Sequence, residues 1–411
     1  MATQFVENAE DIELMDFDPF GPAFRENPEK YHAMLFQNSP GFIDMEGVPS
    51  AFIATYAQCI AVLRDFKTFS SIKPKGLPGM ERIDFFNGLP VMNYSDPPDH
   101  TRRRKVVNPA FTPMRTALLL ENAEIMTDSL LDRILAEGGE FDAMQALCKP
   151  FSIDTQLSKF LAIAPEDQAI FLRYVQTIPL LDSLKPGDPK PQAYLDAWKD
   201  GAAFCKRQQE LARQGKCESL IGVIAEGADG GALSEDEMMA MMIVLLIGGV
   251  STIAGAVAVA LMNMAKYPDV VARVRQDPDA AGLVLEESLR MDPPVSLVMR
   301  FCQKPTEIGG KVILKGMPTY VMIATACHDP EKFPDPYRFD IDRENLKDHI
   351  AFGQGMHTCI GNAIARAVGP MVIRKVANRI PNLRLADRPD AIQWDTSTPR
   401  ARHIDKLFLQ V

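Results

Sequence analysis

The sequence contains no C-x-x-C pair, and its seven cysteines (Cys59, Cys148, Cys205, Cys217, Cys302, Cys327 and Cys359) are odd in number and widely scattered. That excludes a disulfide framework and a zinc ribbon as organising devices and matches cysteine usage in a reducing cytoplasm. Basic residues are in deficit, 44 Lys and Arg against 54 Asp and Glu, for a formal net charge of −10. Nothing in that balance recommends nucleic acid or an anionic membrane surface as a partner. The opening MATQFVENAEDIELMDFDPF lacks the basic and apolar regions of a secretory signal. Internal repeats and low-complexity tracts are missing too.

Charge is also absent from one long stretch, residues 238–265, MMAMMIVLLIGGVSTIAGAVAVALMNMA. Its length would cross a bilayer. Against a membrane anchor, it holds Gly248, Gly249, Ser251, Thr252 and Asn263, is flanked by charges of both signs, and has no companion. A helix buried on all sides in a large core reads the same way, and that reading is preferred.

What is present is ample apolar material: 411 residues, 46% hydrophobic, enough for one large domain or two coupled ones. The β-like AFIAT (51–55) precedes the helical YAQCIAVLRD (56–65). A breaker-rich loop at 71–99 is long enough to suggest function, and a second break lies at 184–192. Helices dominate from 231 onward, including 279–291 and a last helix from near Cys359 to 380, with an expected kink at Gly369-Pro370. Two β-branched runs around Lys315-Gly316 (311–323) suggest a hairpin. The expected fold class is mainly α with a minor β region.

Cys359 sits where that last helix starts, and a helix N-terminus stabilises a thiolate through unpaired N–H groups and the positive dipole end. Gly353 and Gly355 permit an unusual turn before it, Gly361 leaves room for a flat group, and His357 adds a donor. A buried structural cysteine beside a turn is the plain alternative. The spacing of Phe352, Gly353, Gly355, His357, Cys359 and Gly361 together is too specific for it.

FGQGMHTCIG (352–361) resembles the haem-binding loop of the cytochrome P-450 superfamily, F-G-x-G-x-H-x-C-x-G, at every defined position, Phe352 included. The resemblance implies a single domain over 1–411, β-richer to about residue 70 and helical beyond. It implies haem b (iron protoporphyrin IX) between a long distal helix and the cysteine-loop helix, with Cys359 as the iron ligand. Glu287 and Arg290 match the family's E-x-x-R pair, three apart on one helix face and about seventy residues before Cys359. The segment 328–343 resembles the link to the haem loop, with Cys327-His328 where Asn-Arg is usual. DPPDHTRRR (96–104) is similar to the family's D-P-P-x-H-T-x-x-R helix, so His100 and Arg104, with Arg300 and His357, are implied to bind the haem propionates. The basic run Arg102, Arg103, Arg104 and Lys105 is either part of a docking surface for an acidic ferredoxin or flavodoxin served by an NAD(P)H-dependent reductase, or a solvated helix face.

GGVST (248–252) is similar to the distal pattern A/G-G-x-D/E-T. Gly248 and Gly249 would leave space for dioxygen and water, Thr252 would assist oxygen activation, and Ser251 stands where the family has an acid. A carboxylate exchanges protons with solvent, whereas a serine only relays them. Three readings stay open: a water relay through Ser251, a peroxide-driven reaction, or an engineered substitution. The first is preferred, since Thr252 and the basic helix would have little purpose in a peroxide user. The resemblance maps the family's substrate-facing positions onto the loop 71–95, the region around 170–195, Val244, Ile247 or Gly248, Val295 to Val298 and the segment near Thr396, where Phe85, Phe86, Leu89, Met92, Val244, Val295, Leu297 and Val298 offer an apolar lining for a small or medium hydrophobic molecule. The expected activity is a cytoplasmic monooxygenase without a membrane anchor that uses O2 and hydroxylates or dealkylates its substrate. A peroxygenase and a non-catalytic haem sensor are the rivals.

Overall fold

The uncharged stretch forms the middle of a 32-residue helix, Glu235–Lys266, in the computed structural model, which describes residues 12–45, 47–74, 77, 86–182, 184, 187–215, 220–395 and 402–411. Its start is specified locally by a capping box: Ser234 Oγ accepts from the Glu237 amide at 3.1 Å, and the Glu237 carboxylate accepts from the Ser234 amide at 2.9 Å. Three acidic residues in the first turn and Lys266 in the last complement the helix dipole. The most apolar window of this helix is 72% buried inside the protein. Its side chains therefore meet protein, as a core helix requires.

Two apolar cores share this helix. Residues 253–265 pack against the helices Pro113–Glu137, Ala280–Met291 and Asn362–Arg379, whereas residues 238–246 pack against Pro165–Thr177, Gln192–Arg213 and Leu220–Asp229. Between the cores, residues 247–252 are not buried, and Gly248 is exposed. A helix buried above and below but open in the middle faces a cleft there.

A five-stranded sheet lies apart from the cores in the order Gly41–Met45, Val48–Ile53, Pro318–Val321, Val298–Cys302 and Phe69–Ser70. Only the second and third strands pair in parallel, Phe52 opposite Tyr320. AFIAT is the end of the second strand, and the helix after it spans Tyr56–Arg64. The expected hairpin around Lys315-Gly316 does not form. Lys311–Ile313 pairs back with Thr306–Ile308, while Pro318–Val321 enters the centre of the large sheet. Burial explains the divorce: every residue of Pro318–Val321 is buried, as a central strand demands, whereas Lys311 and Val312 are exposed.

The cysteine-loop helix continues through Pro370. Gly369 serves its docking on Ala280–Met291, since a Cβ there would lie 2.8 Å from the Leu285 side chain. Within that partner helix, Glu287 and Arg290 are both fully buried and joined by two hydrogen bonds of 2.8 and 2.9 Å. Arg290 also donates to the Cys327 carbonyl at 2.9 Å, and Glu287 accepts from the Asp340 amide at 3.0 Å. The pair thus ties the helix to both ends of the segment that leads to the cysteine loop.

Candidate functional site

Cys359 lies just before the helix Asn362–Arg379, whose N-cap is Gly361. Its amide donates to the Phe352 carbonyl at 2.8 Å, closing the loop. Gly353 and Gly355 have φ of +69° and +72°. At Gly355 a Cβ would also come within 2.6 Å of the Leu63 carbonyl oxygen, so only glycine meets both demands. Among the described cysteines, Cys359 alone is exposed; Cys59, Cys148, Cys205, Cys302 and Cys327 are buried, and burial pushes their thiols up. Cys217 lies outside the described residues. Desolvation by the surrounding protein raises the Cys359 thiol too, although the residue is exposed. The Gly361 amide, Arg104 and Arg366 pull in the opposite direction without prevailing. A cationic metal at the sulfur would supply what they lack.

Four basic side chains converge beside the loop. His100, on the helix Asp99–Val107, and His357 have ring centres 4.3 Å apart. His357 Nε2 lies 2.9 Å from Ser71 Oγ. Arg300, on the strand Val298–Cys302, and Arg104 bear on both histidines. Burial is the first cause of a downward shift in all four: His357 to about 3, Arg300 to about 10, His100 and Arg104 by direction. His100 Nε2 is buried and has no partner. Asp96 is the carboxylate that faces His100 and Arg300, and it already accepts from Ser70 Oγ at 2.5 Å and the Ser71 amide at 3.0 Å. A buried basic cluster with an orphaned ring nitrogen fits the carboxylates of a haem. Arg104 has a further attachment: its two amino groups donate to the Met356 and Thr358 carbonyls, each at 2.8 Å, bracing the loop on both sides of His357.

Two residues of the basic run on that helix meet a carboxylate of the long helix. Glu237 accepts from Arg102 at 2.5 and 2.9 Å and from Arg103 at 2.7 Å, and Arg103 is buried. Of Arg102 to Lys105, only Arg103 is buried, held by Glu237, and Arg104 is turned to the loop carbonyls, whereas Arg102 and Lys105 remain exposed. Glu237 is pulled from its usual 4.5 to about 2, first by the Arg102 hydrogen bond. A carboxylate with a lowered folded pKa stabilises above its unfolded value and loses that contribution as pH falls toward the folded one. Glu237→Gln should therefore cost about 1.5–3 kcal/mol at neutral pH, and the gap between wild-type and variant stability should shrink below about pH 4.5. Urea melts across pH measure it; a gap independent of pH would refute the ion pair.

A second network escaped the sequence reading. Glu286, next to the E-x-x-R glutamate, accepts from Arg366 at 2.7 and 2.9 Å and lies 2.9 Å from His349 Nε2. Arg366 sits over the Phe352 ring at 4.6 Å. It thereby links the helix behind the loop, the first residue of the loop motif and the field at Cys359. The repeated Glu in EES and an Arg seven residues after Cys359 were the available signals.

On the facing side, Thr252 Oγ1 donates to the Gly248 carbonyl at 2.5 Å and Ser251 Oγ to the Ile247 carbonyl at 3.5 Å. Ile360, beside Cys359, packs against the same cluster as Ile247 and Val250. The two glycines differ. Nothing lies within 4 Å of a Cβ built on Gly248, whereas one on Gly249 would meet the Gln156 side chain at 2.1 Å. Gly249 therefore admits Gln156, and the expectation that it opens space for oxygen is corrected.

Phe86, Met92 and Val244 are buried in one cluster, with Leu89 and Ile247 packed on it. Val295 and Val298 are half-buried. Leu297 does not join them: it packs with Phe17, Leu35, Phe52 and Tyr320 behind the sheet. Phe85 and Thr396 lie outside the described residues.

The cytochrome P-450 family model matches residues 201–368. The chain is 31% identical over 387 residues to the cytochrome P-450 monooxygenase PikC of Streptomyces venezuelae, covering 93% of this chain and 90% of that protein. It is 31% identical over 372 residues to 6-deoxyerythronolide B hydroxylase of Saccharopolyspora erythraea, covering 88% and 90%. The structure matches PksS, a cytochrome P-450 of the Bacillus subtilis bacillaene polyketide synthase, with a TM-score of 0.84 at 25% identity, over 96% of this chain and 99% of that one.

Proposed function

We propose, from the premise that this chain belongs to the cytochrome P-450 family and is a P-450 monooxygenase with haem b as its cofactor, that it oxidises a small or medium-sized apolar molecule with electrons from a ferredoxin system. When bound, haem supplies the iron at which dioxygen is reductively cleaved, one oxygen atom going to substrate and the other to water. The carrying observation is the break in burial at residues 247–252 of an otherwise buried helix, where Ile247 and Val250 share an apolar cluster with Ile360 beside the exposed Cys359.

In this reading Cys359 ligates the iron. His100, Arg300 and His357 hold the propionates by charge and hydrogen bonds, and Arg104 braces the loop. Phe352, Gly353 and Gly361 shape the seat. Gly248 leaves the opening, and Thr252 presents a hydroxyl at its edge. Phe86, Met92, Val244, Val295 and Val298 exclude water from the substrate, and their apolar character supports an uncharged substrate. Ser251 accepts and passes a proton within a water chain in place of a carboxylate, a slower route because a hydroxyl holds no exchangeable charge.

The test drives the holoenzyme and Ser251→Asp with reduced ferredoxin against terpenoid, aromatic and macrolactone probes. The wild type should oxidise at least one apolar class, and the variant should raise its coupled rate about tenfold. Turnover confined to charged probes would overturn the substrate reading. An unchanged rate, with an unaltered haem spectrum and substrate affinity, would overturn the role of Ser251.

A further inference from the structure

The turn of the long helix that opens onto the cleft carries an unusual load of side-chain hydrogen bonds. Besides the regular helical pairing, the Leu245 carbonyl accepts from Gln156 Nε2 at 2.7 Å. Ile247 and Gly248 accept from Ser251 and Thr252. The Val250 carbonyl accepts from Ser152 Oγ at 2.5 Å, with Gly249 more distant at 3.4 Å. Of the six carbonyls from Leu245 to Val250, only that of Leu246 has no such side-chain donor among the described residues. Side chains that bond helix carbonyls draw them outward and bend the helix.

Two of these donors come from elsewhere in the chain. Ser152 lies in the short helix Lys149–Ile153, and Gln156 follows in a π-helical stretch, Asp154–Phe160. Such stretches are rare and gather at functional sites, where they re-aim side chains. Gln156 is buried and held twice: its amide nitrogen donates to Leu245, and its body fills the space above Gly249. A Cβ on Gly249 would lie 2.1 Å from Gln156 Cδ and 2.6 Å from its Nε2. Because Gly249 is filled in this way, the opening is left to Gly248 alone.

We infer that Gln156, supported by Ser152, is a positioning residue that clamps the Leu245–Val250 carbonyls and so fixes where Gly248 and Thr252 stand over the cleft. It touches no reacting atom; it acts through the backbone it holds. The inference rests on the monooxygenase reading for its catalytic consequence, whereas the clamp itself is a property of the apoprotein. In a chain that has Ser251 in place of an acid, proton relay depends on hydroxyl and water geometry, which makes that backbone position matter more.

The experiment compares Gln156→Ala, Gln156→Glu, Gly249→Ala and the double variant Gln156→Ala/Gly249→Ala. In the holoenzyme, Gln156→Ala should lower coupling about tenfold, electrons being lost to released hydrogen peroxide, with substrate affinity kept within about twofold. Gln156→Glu places a carboxylate against the Leu245 carbonyl; protonation restores a donor, so its coupling should recover as pH falls while the wild type shows no such recovery. In the apoprotein, Gly249→Ala should lower the melting temperature, and Gln156→Ala should rescue it by vacating the space. Wild-type coupling in Gln156→Ala, or equal harm from Gly249→Ala in both backgrounds, would overturn the clamp. A wild type that fails to turn over would refute the monooxygenase reading and leave the apoprotein rescue as the deciding test.

Discussion

Arg290→Met will remove about 3–5 kcal/mol of stability, the cost of leaving the buried Glu287 carboxylate with only Arg343, at 3.5 Å, to balance it. Both side chains are fully shielded from solvent, and their contact is two-pronged. The loss is a large share of the roughly 5–15 kcal/mol that holds a domain together. It also frees the Cys327 carbonyl and, through Glu287, the Asp340 amide, so the cysteine loop should lose its brace and haem content should fall with stability. The double variant Glu287→Gln/Arg290→Met should lose less than the two single losses added, since neither change then strands a full charge. Denaturant melts of the apoproteins with haem titration measure both effects. An Arg290→Met midpoint near wild type would show that the pair is dispensable.

Cys359→Ser separates chemistry from fold. Cys359 is exposed, so apoprotein stability should change by no more than about 0.5 kcal/mol. The serine hydroxyl stays protonated and donates little electron density, so turnover should fall by at least about 10³-fold, roughly 4 kcal/mol of barrier. The spectrum of the reduced carbonyl complex should lose its thiolate character at the same time. Retained turnover would remove Cys359 from the site. A collapse in apoprotein stability would instead mean that the thiol packs. Among the described cysteines no other can replace it, because the remaining five are buried.

Much of this protein is legible because its chemistry is local. The glycines, histidine and cysteine of FGQGMHTCIG lie within ten residues, so their spacing alone fixes a loop. Glu287 and Arg290 share a helix turn, and the long helix announces itself by composition. What escaped depends on partners far along the chain. Arg103 reads as part of a surface patch until Glu237, more than a hundred residues on, is brought against it and buries it. Glu286 gains its meaning from Arg366 and His349, and Leu297 from the sheet it turns toward.

The sequence by itself determined the cysteine loop, the predominance of helix and the unusual Ser251, since each is carried by residue types at short spacing. Only the tertiary structure decided which side chain fills which gap. The two adjacent glycines are indistinguishable as letters, yet one faces open space and the other receives Gln156. That difference is set by the packing of a segment some ninety residues earlier in the chain, and no local pattern encodes where that segment comes to rest.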